Sequence, residues 1–183
     1  SLDEQQKVAV QTALQKDLLL LTGGPGTGKT RTIVSILLAQ LLNKPNTRIA
    51  LAAPTGKAAF RMRQSILIAI NSFEIEDSIR SALFDCSRST TLHRLLGSKL
   101  GSVDFRRNEQ NPLPHDMVIV DEASMVDLPL MAKLCASLRE ESKLVLVGDA
   151  DQLAPVHGGA VFSGLVKASV SDKELSDNFV RLS

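Results

Sequence analysis

The chain has no tryptophan and no tyrosine, and six phenylalanines make up its whole complement of large aromatic rings. That shortage limits base stacking on aromatic platforms, so a single-stranded nucleic acid would have to be held mainly through its backbone. Cysteine is scarce as well. Cys86 and Cys135 show no CxxC or metal-ligand spacing, and each sits in a helix-like apolar pattern, so two buried thiols in a reducing compartment are expected. No apolar run reaches the ~18 residues that span a bilayer, and no basic segment leads into an apolar one, which points to a cytoplasmic protein with no membrane partner. An excess of either charge is also missing: 21 Lys plus Arg offset 20 Asp plus Glu, leaving +1, so any basic surface must be local. What the 183 residues do have is 44% apolar content, enough for one sizeable core, and residues 1–183 read as a single domain.

The densest chemical signal is Gly23-Gly24-Pro25-Gly26-Thr27-Gly28-Lys29-Thr30, which fits the phosphate-binding P-loop pattern G-x-x-x-x-G-K-[ST]. Its glycines let backbone N–H groups wrap an anion, and the helix that follows adds its positive dipole end at the same point. Lys29 supplies a cation for the β- and γ-phosphates and Thr30 a hydroxyl for Mg²⁺. The context agrees, because Leu18-Leu19-Leu20-Leu21 reads as a buried strand and Ile33, Leu37 and Leu41 recur at helical spacing.

Upstream, Val8, Ala9, Ala13 and Leu14 pattern a short helix with Asp3 as N-cap. Gln6 then stands where a capping-box partner would, although its amide could equally read an adenine edge. Residues Arg48 to Ala53 form a second apolar strand, followed by Pro54-Thr55-Gly56-Lys57-Ala58-Ala59 and a helix facing inward through Ala59, Met62, Ile66, Ile70 and Phe73. A strand, a polar turn and a helix N-terminus make a second anion-friendly site, with Thr55 and Lys57 as phosphate contacts; the plainer reading is that Thr55 caps the helix. Ile75, Ile79 and Leu83 mark another helix, ahead of Thr91-Leu92-His93-Arg94-Leu95-Leu96-Gly97, in which His93 alone would pass for a structural histidine. The polar stretch from Ser98 to Asp116, with Arg106-Arg107 at its centre, is the most loop-like part of the chain.

Met117-Val118-Ile119-Val120 ends in Asp121-Glu122-Ala123-Ser124, a strand delivering two carboxylates. A P-loop needs an acid on a neighbouring strand for Mg²⁺, which suits Asp121, and Glu122 is placed to orient the attacking water. Leu128, Met131, Cys135 and Leu138 pattern a helix behind Asp127, and Leu144 to Val147 a further strand that leads to Gly148-Asp149-Ala150-Asp151-Gln152-Leu153. Gln152 could bond both a γ-phosphate and its water, or merely sit in a Gly-Asp turn. Val161 to Val166 suggest a last helix, and the tail from Ser169 to Ser183 is polar and stops without an obvious terminus.

In this order the motifs resemble those of superfamily 1 DNA helicases of the RecD family. Gln6 is similar to the adenine-reading Q motif, Gly23 to Thr30 to motif I, Pro54 to Ala59 to motif Ia, Thr91 to Gly97 to motif Ib, Asp121 to Ser124 to motif II, and Gly148 to Leu153 to motif III. The resemblance implies an α/β fold, a RecA-like doubly wound parallel sheet with helices on both faces. It also implies ATP and Mg²⁺ as ligands, and Lys29, Glu122 and Gln152 as catalytic residues. Gln6, Gly24, Pro25, Gly26, Thr27, Gly28, Lys29 and Thr30 would hold nucleotide, and Thr30 and Asp121 the metal. DNA contacts would fall to Pro54, Thr55, Lys57, Thr91 and His93. By the same likeness, the intact protein would move 5′ to 3′ on single-stranded DNA and assemble with RecB and RecC subunits as exodeoxyribonuclease V in double-strand-break repair. Family members continue into a second motor domain whose arginines reach the γ-phosphate, so the chain is expected to be a first motor domain that is nearly inactive alone. A stand-alone RecD-like helicase and a non-motor P-loop ATPase are the alternative readings.

Overall fold

The computed structural model describes residues 2–98, 104–152 and 161–183. Six strands form one sheet in the order β3-β2-β4-β5-β1-β6, comprising β1 (Leu18–Gly23), β2 (Ile49–Ala53), β3 (Ser89–Thr91), β4 (Met117–Val120), β5 (Lys143–Gly148) and β6 (Phe179–Leu182). Every pairing is parallel. Helix α1 (Glu4–Gln15) precedes the first strand. Parallel strands need crossovers, and here they carry α2 (Lys29–Asn43), α3 (Gly56–Ile70), α4 (Asp77–Cys86), α5 (Leu92–Leu96), α6 (Leu128–Ala136), α7 (Val161–Ser171) and α8 (Lys173–Ser176). The expected doubly wound α/β sheet is the observed one.

The two-residue strand period sorts the core into two layers. Leu19, Leu21, Ile49, Leu51, Met117, Ile119, Val145 and Val147 point to the side covered by α1, α2, α3 and α4. Their alternates Leu20, Ala50, Ala52, Val118, Val120, Leu144 and Leu146 pack with Leu92, Leu96, Leu130, Met131, Leu134 and Phe162 on the other face. Two buried faces explain why the central strands read as unbroken apolar runs. Removing one such leucine by a Leu→Ala change would cost about 2–5 kcal/mol.

Several expectations need correction. α1 turns Gln6, Ala9, Thr12 and Ala13 inward, whereas Val8 is 48% exposed. In α6 the inward residues are Leu130, Met131 and Leu134, with Leu138 half-buried beyond its end, whereas Cys135 is exposed and Leu128 stands in solvent. Cys86 is half-buried. Phe73 lies beyond the end of α3 but still packs on the core. Part of the loop-like stretch is anchored: Leu113 is buried, Arg107 N–H donates to the Leu96 carbonyl at 3.0 Å, and the Arg107 guanidinium donates to the Pro112 carbonyl at 3.0 Å. The polar tail holds α8 and edge strand β6, where Val180 and Leu182 face inward on either side of exposed Arg181. Leu153 lies outside the described residues. No helix among the described residues is long and apolar enough to cross a membrane.

Because all six strands run one way, the segments that follow them emerge at one edge. The P-loop follows β1, Pro54 to Lys57 follow β2, Thr91 closes β3, Asp121 and Glu122 follow β4, and Gln152 follows β5.

Candidate active site

The P-loop begins where β1 ends and closes with Gly28 as N-cap of α2, at φ 85°. Gly26 has φ 80°, and both values favour residues without a Cβ. No side chain caps the first turn of α2 and no acid stands in it, so its N–H groups are free to receive an anion. Lys29 Nζ donates to the carbonyls of Gly23 and Gly24 at 2.7 and 2.9 Å, which holds the ammonium over the loop. Thr27 Oγ1 donates to the Gly24 carbonyl at 2.9 Å and so braces the loop from within.

Gln6 serves the cap and faces the loop at once. Its Oε1 accepts the Asp3 N–H at 3.2 Å while its own N–H donates to Asp3 Oδ1 at 2.8 Å, completing the capping box. Its Nε2 abuts the P-loop so closely that a Cβ built on Gly28 would lie 2.5 Å away. A larger residue at position 28 would therefore collide with the amide as well as strain the backbone.

A cleft of about 420 Å³ opens beside Lys29 and Thr30 and is also lined by Asp121, Glu122, Gln152, Thr55, Lys57, Arg61 and Ser65. Burial pushes the Asp121 carboxyl above its ordinary range and the Glu122 charge adds to the rise, while the Glu122 N–H and the Lys29 ammonium oppose it. Asp121 Oδ1 accepts that Glu122 N–H at 2.9 Å. A partly desolvated carboxylate beside a threonine hydroxyl is a hard oxygen pair, and it fits Mg²⁺, which is held by one or two carboxylates and completed by phosphates. Among the described residues no group of three or more His, Cys, Asp or Glu could hold a metal unaided.

Glu122 has φ 54°, the one positive value among the described non-glycine residues. That left-handed backbone costs about 1–2 kcal/mol for a residue with a Cβ. The short 3₁₀ turn Ala123–Met125 follows directly, and its Ser124 Oγ donates to Gln152 Oε1 at 2.9 Å. Gly148 permits this approach, since a Cβ there would fall 2.9 Å from the Phe162 ring and 3.1 Å from the Ser124 nitrogen. The Gly-Asp turn exists too, with Gln152 N–H donating to the Asp149 carbonyl at 3.3 Å, so the turn is what presents the glutamine.

Thr55 caps α3 by accepting the Ala58 N–H at 3.1 Å, and Thr91 caps α5 by accepting the Arg94 N–H at 3.2 Å. Each hydroxyl keeps its own proton to donate. Pro54, Thr91 and His93 do not line the cleft. They belong to the adjoining sheet edge, where Thr91 is in register with Ala53, and exposed His93 packs its ring against Phe105 at 5.8 Å between centroids. Arg61, Ser65 and the Ser124–Gln152 bond were not anticipated. Arg61 had a legible signal, because it follows Lys57 by four residues and helical period puts both on one face.

A protein-family model described as AAA domain matches residues 6–158. The chain is 47% identical over 170 residues to the RecBCD enzyme subunit RecD of Mycolicibacterium smegmatis, covering 90% of this chain and 30% of that protein. It is 45% identical over 165 residues to the same subunit of Haemophilus influenzae, covering 88% and 26%. The ATP-dependent RecD2 DNA helicase of Deinococcus radiodurans is 39% identical over 171 residues, covering 93% and 21%. The chain thus spans less than a third of the length of these curated relatives. Among solved structures it resembles the Pif1 helicase of Candida albicans at TM-score 0.59 and 23% identity, covering 100% of this chain and 40% of that one. The large terminase of bacteriophage HK97 gives TM-score 0.60 and 17% identity over 100% and 39%. At those identities the likeness is one of fold. From the matched stretch, the parallel sheet and the P-loop at its edge together, the chain belongs to the AAA domain family and is similar to RecD proteins over about nine-tenths of its own length.

Proposed function

We propose that this chain is the ATP-hydrolysing motor domain of a RecD-type DNA helicase, in which ATP turnover drives movement along single-stranded DNA and parting of the duplex. The observation that carries the reading is that Lys29, Thr30, Asp121, Glu122 and Gln152 share one cleft with Thr55 and Lys57. Nucleotide and strand would then be sensed in the same space.

In this mechanism the N–H groups of Gly24 and of Gly26 to Gly28 wrap the phosphates, and Lys29 meets the β- and γ-oxygens. The Gln6 amide beside Gly28 reads the adenine edge. Thr30 and Asp121 would hold Mg²⁺, which would supply positive charge against the negative charge of the phosphates. Glu122 orients the attacking water and takes its proton. Gln152, its oxygen occupied by the Ser124 hydroxyl, directs its NH₂ group at the transferring phosphoryl. Thr55 and Thr91 donate hydroxyl protons to strand phosphates, and Lys57, Pro54 and His93 complete that contact. Closure of the cleft around nucleotide would move the Thr55–Lys57 segment, coupling turnover to the strand.

By likeness to RecD proteins, the full-length protein would act in the cytoplasm with RecB and RecC subunits, move 5′ to 3′, and serve double-strand-break repair. Unwinding by the full-length protein on duplexes with a 5′ or a 3′ tail, alone and with candidate subunits, tests this. The expected result is unwinding of the 5′-tailed duplex that depends on partners. The 39% identity to the RecD2 helicase of Deinococcus radiodurans supports a second reading, a helicase acting alone, which partner-independent unwinding would establish. ATP hydrolysis by the full-length protein that ignores single-stranded DNA would remove both.

A further inference from the structure

Ala59, Met62, Ile66 and Ile70 bury one side of α3, and this fixes the rotation of the helix about its axis. Lys57, Arg61 and Ser65, spaced by four, consequently form a second stripe, and all three line the cleft that holds Lys29, Asp121 and Glu122. Ser65 also borders the adjoining cavity against Gly26 and Gly28, so the stripe runs alongside the phosphate loop and not away from it. Lys29, Lys57 and Arg61 bring three cations to a cleft with two carboxylates. Two of the cations sit at i and i+4 on one helix, a like-charge pair that is unfavourable by itself. Among the described residues neither Lys57 nor Arg61 has an ion-pair or hydrogen-bond partner. A cleft of that balance is built for a multiply charged anion.

We propose that Arg61 contacts the terminal phosphate of the bound nucleoside triphosphate, so that this domain distinguishes triphosphate from diphosphate without a cation from elsewhere. The proposal rests on the nucleotide-site reading above. Arg61 lines the cleft together with Lys29, Glu122 and Gln152, the groups assigned to the terminal phosphoryl, and stands one turn further along α3 than Lys57, which is nearer the β2 loop. A planar guanidinium with five donors suits a phosphoryl group better than an ammonium does. The arginines of the Arg106-Arg107 loop do not take this part: neither lines the cleft, Arg107 is committed to Pro112, and the Arg106 side chain packs over Gly97.

Titration calorimetry of the 183-residue chain with MgADP and with a non-hydrolysable Mg-triphosphate analogue tests the proposal on Arg61→Ala and Arg61→Lys. Arg61→Ala should weaken triphosphate binding by about 10–100-fold, the equivalent of a lost charge-assisted hydrogen bond, and leave ADP affinity unchanged. Arg61→Lys should recover part of the difference. An equal loss for both nucleotides, or a loss for neither, overturns the proposal. Unchanged nucleotide affinities with weakened binding of single-stranded DNA would overturn it as well and assign Arg61 to the strand. Lys29→Ala is the separate control. If the unsubstituted chain binds neither nucleotide, or Lys29→Ala binds both normally, the nucleotide site itself is wrong and the Arg61 proposal falls with it.

Discussion

Ser124 donates its hydroxyl to Gln152 Oε1 at 2.9 Å, tying the turn that carries Glu122 to the turn that follows β5. The bond spans two neighbouring strand ends and leaves the NH₂ group of Gln152 free for the cleft. A glutamine so held is pre-aimed.

Ser124→Ala in the full-length protein should therefore lower DNA-stimulated kcat for ATP by up to about tenfold, the worth of one intramolecular hydrogen bond, with little change in KM. Gln152→Ala should cost more, and the double variant should match Gln152→Ala alone because the serine acts through the glutamine. Steady-state ATPase kinetics of the three variants checks this. Additive losses would show that the two side chains work independently.

Glu122 offers a test in which stability and chemistry part company. Glu122→Gln keeps the shape but cannot take a proton, so hydrolysis should fall by about 10²–10⁴ while nucleotide binding survives. The left-handed backbone at this residue predicts something else: Glu122→Gly should be more stable than Glu122→Ala by about 1–2 kcal/mol, the reverse of their order in a helix. Urea unfolding of both variants decides it. If Ala is the more stable, the strain is absent.

Lys57→Ala should weaken single-strand binding evenly across sequences and reduce the salt slope by about 0.7, the value for one phosphate contact on a single strand. Thr55 needs a different substitution, because Thr55→Ala would also remove the α3 cap at a cost of about 1 kcal/mol. Thr55→Ser keeps the cap and the hydroxyl proton and should bind normally. Fluorescence anisotropy over a range of salt would read both, and an unaltered slope for Lys57→Ala would move the strand elsewhere.

At the opposite edge of the sheet, His115 and Asp116 precede β4 and predict acid sensitivity. Burial lowers the His115 pKa, as do the Arg48, Arg107 and Arg139 charges, against the pull of Asp116. Burial would raise the Asp116 carboxyl, but the Arg48 N–H and the Arg139 guanidinium outweigh it and hold the pKa below the ordinary value. Both groups are depressed on folding, so the stability each contributes is present above its unfolded pKa and lost as pH falls through the folded one. Decline should begin below about pH 6.5 through His115 and deepen below about pH 3.9 through Asp116. His115→Gln should flatten the first stage only. Thermal melts from pH 8 to pH 3 test this, and a wild-type curve that stays level down to pH 5 would refute the histidine part.

Much of the fold was legible because it is written locally. A strand buried on both faces must be apolar throughout, so β1, β2, β4 and β5 announced themselves, and the P-loop carries its glycines wherever the chain goes. β3 and β6 were not legible. Ser89-Thr90-Thr91 is three polar residues long, and Phe179–Leu182 buries only two side chains at a sheet edge, so pairing with β2 and β1 creates these strands and no pattern within them does. The inward stripe of α6 was misplaced for a related reason: Met131 and Cys135 are both apolar and four apart, and only the position of the facing strands decides that the first is covered and the second is not.

The sequence by itself determined the list of chemical groups, since Lys29, Thr30, Asp121, Glu122 and Gln152 each follow an apolar strand or open a helix, and local pattern suffices to place such residues. Only the tertiary structure decided which of them share a cleft, because that depends on strand order and direction, on the rotation of α3 that turns Arg61 into the cleft lined by Glu122, and on the bare Cα of Gly148 that lets Ser124 come within reach of Gln152.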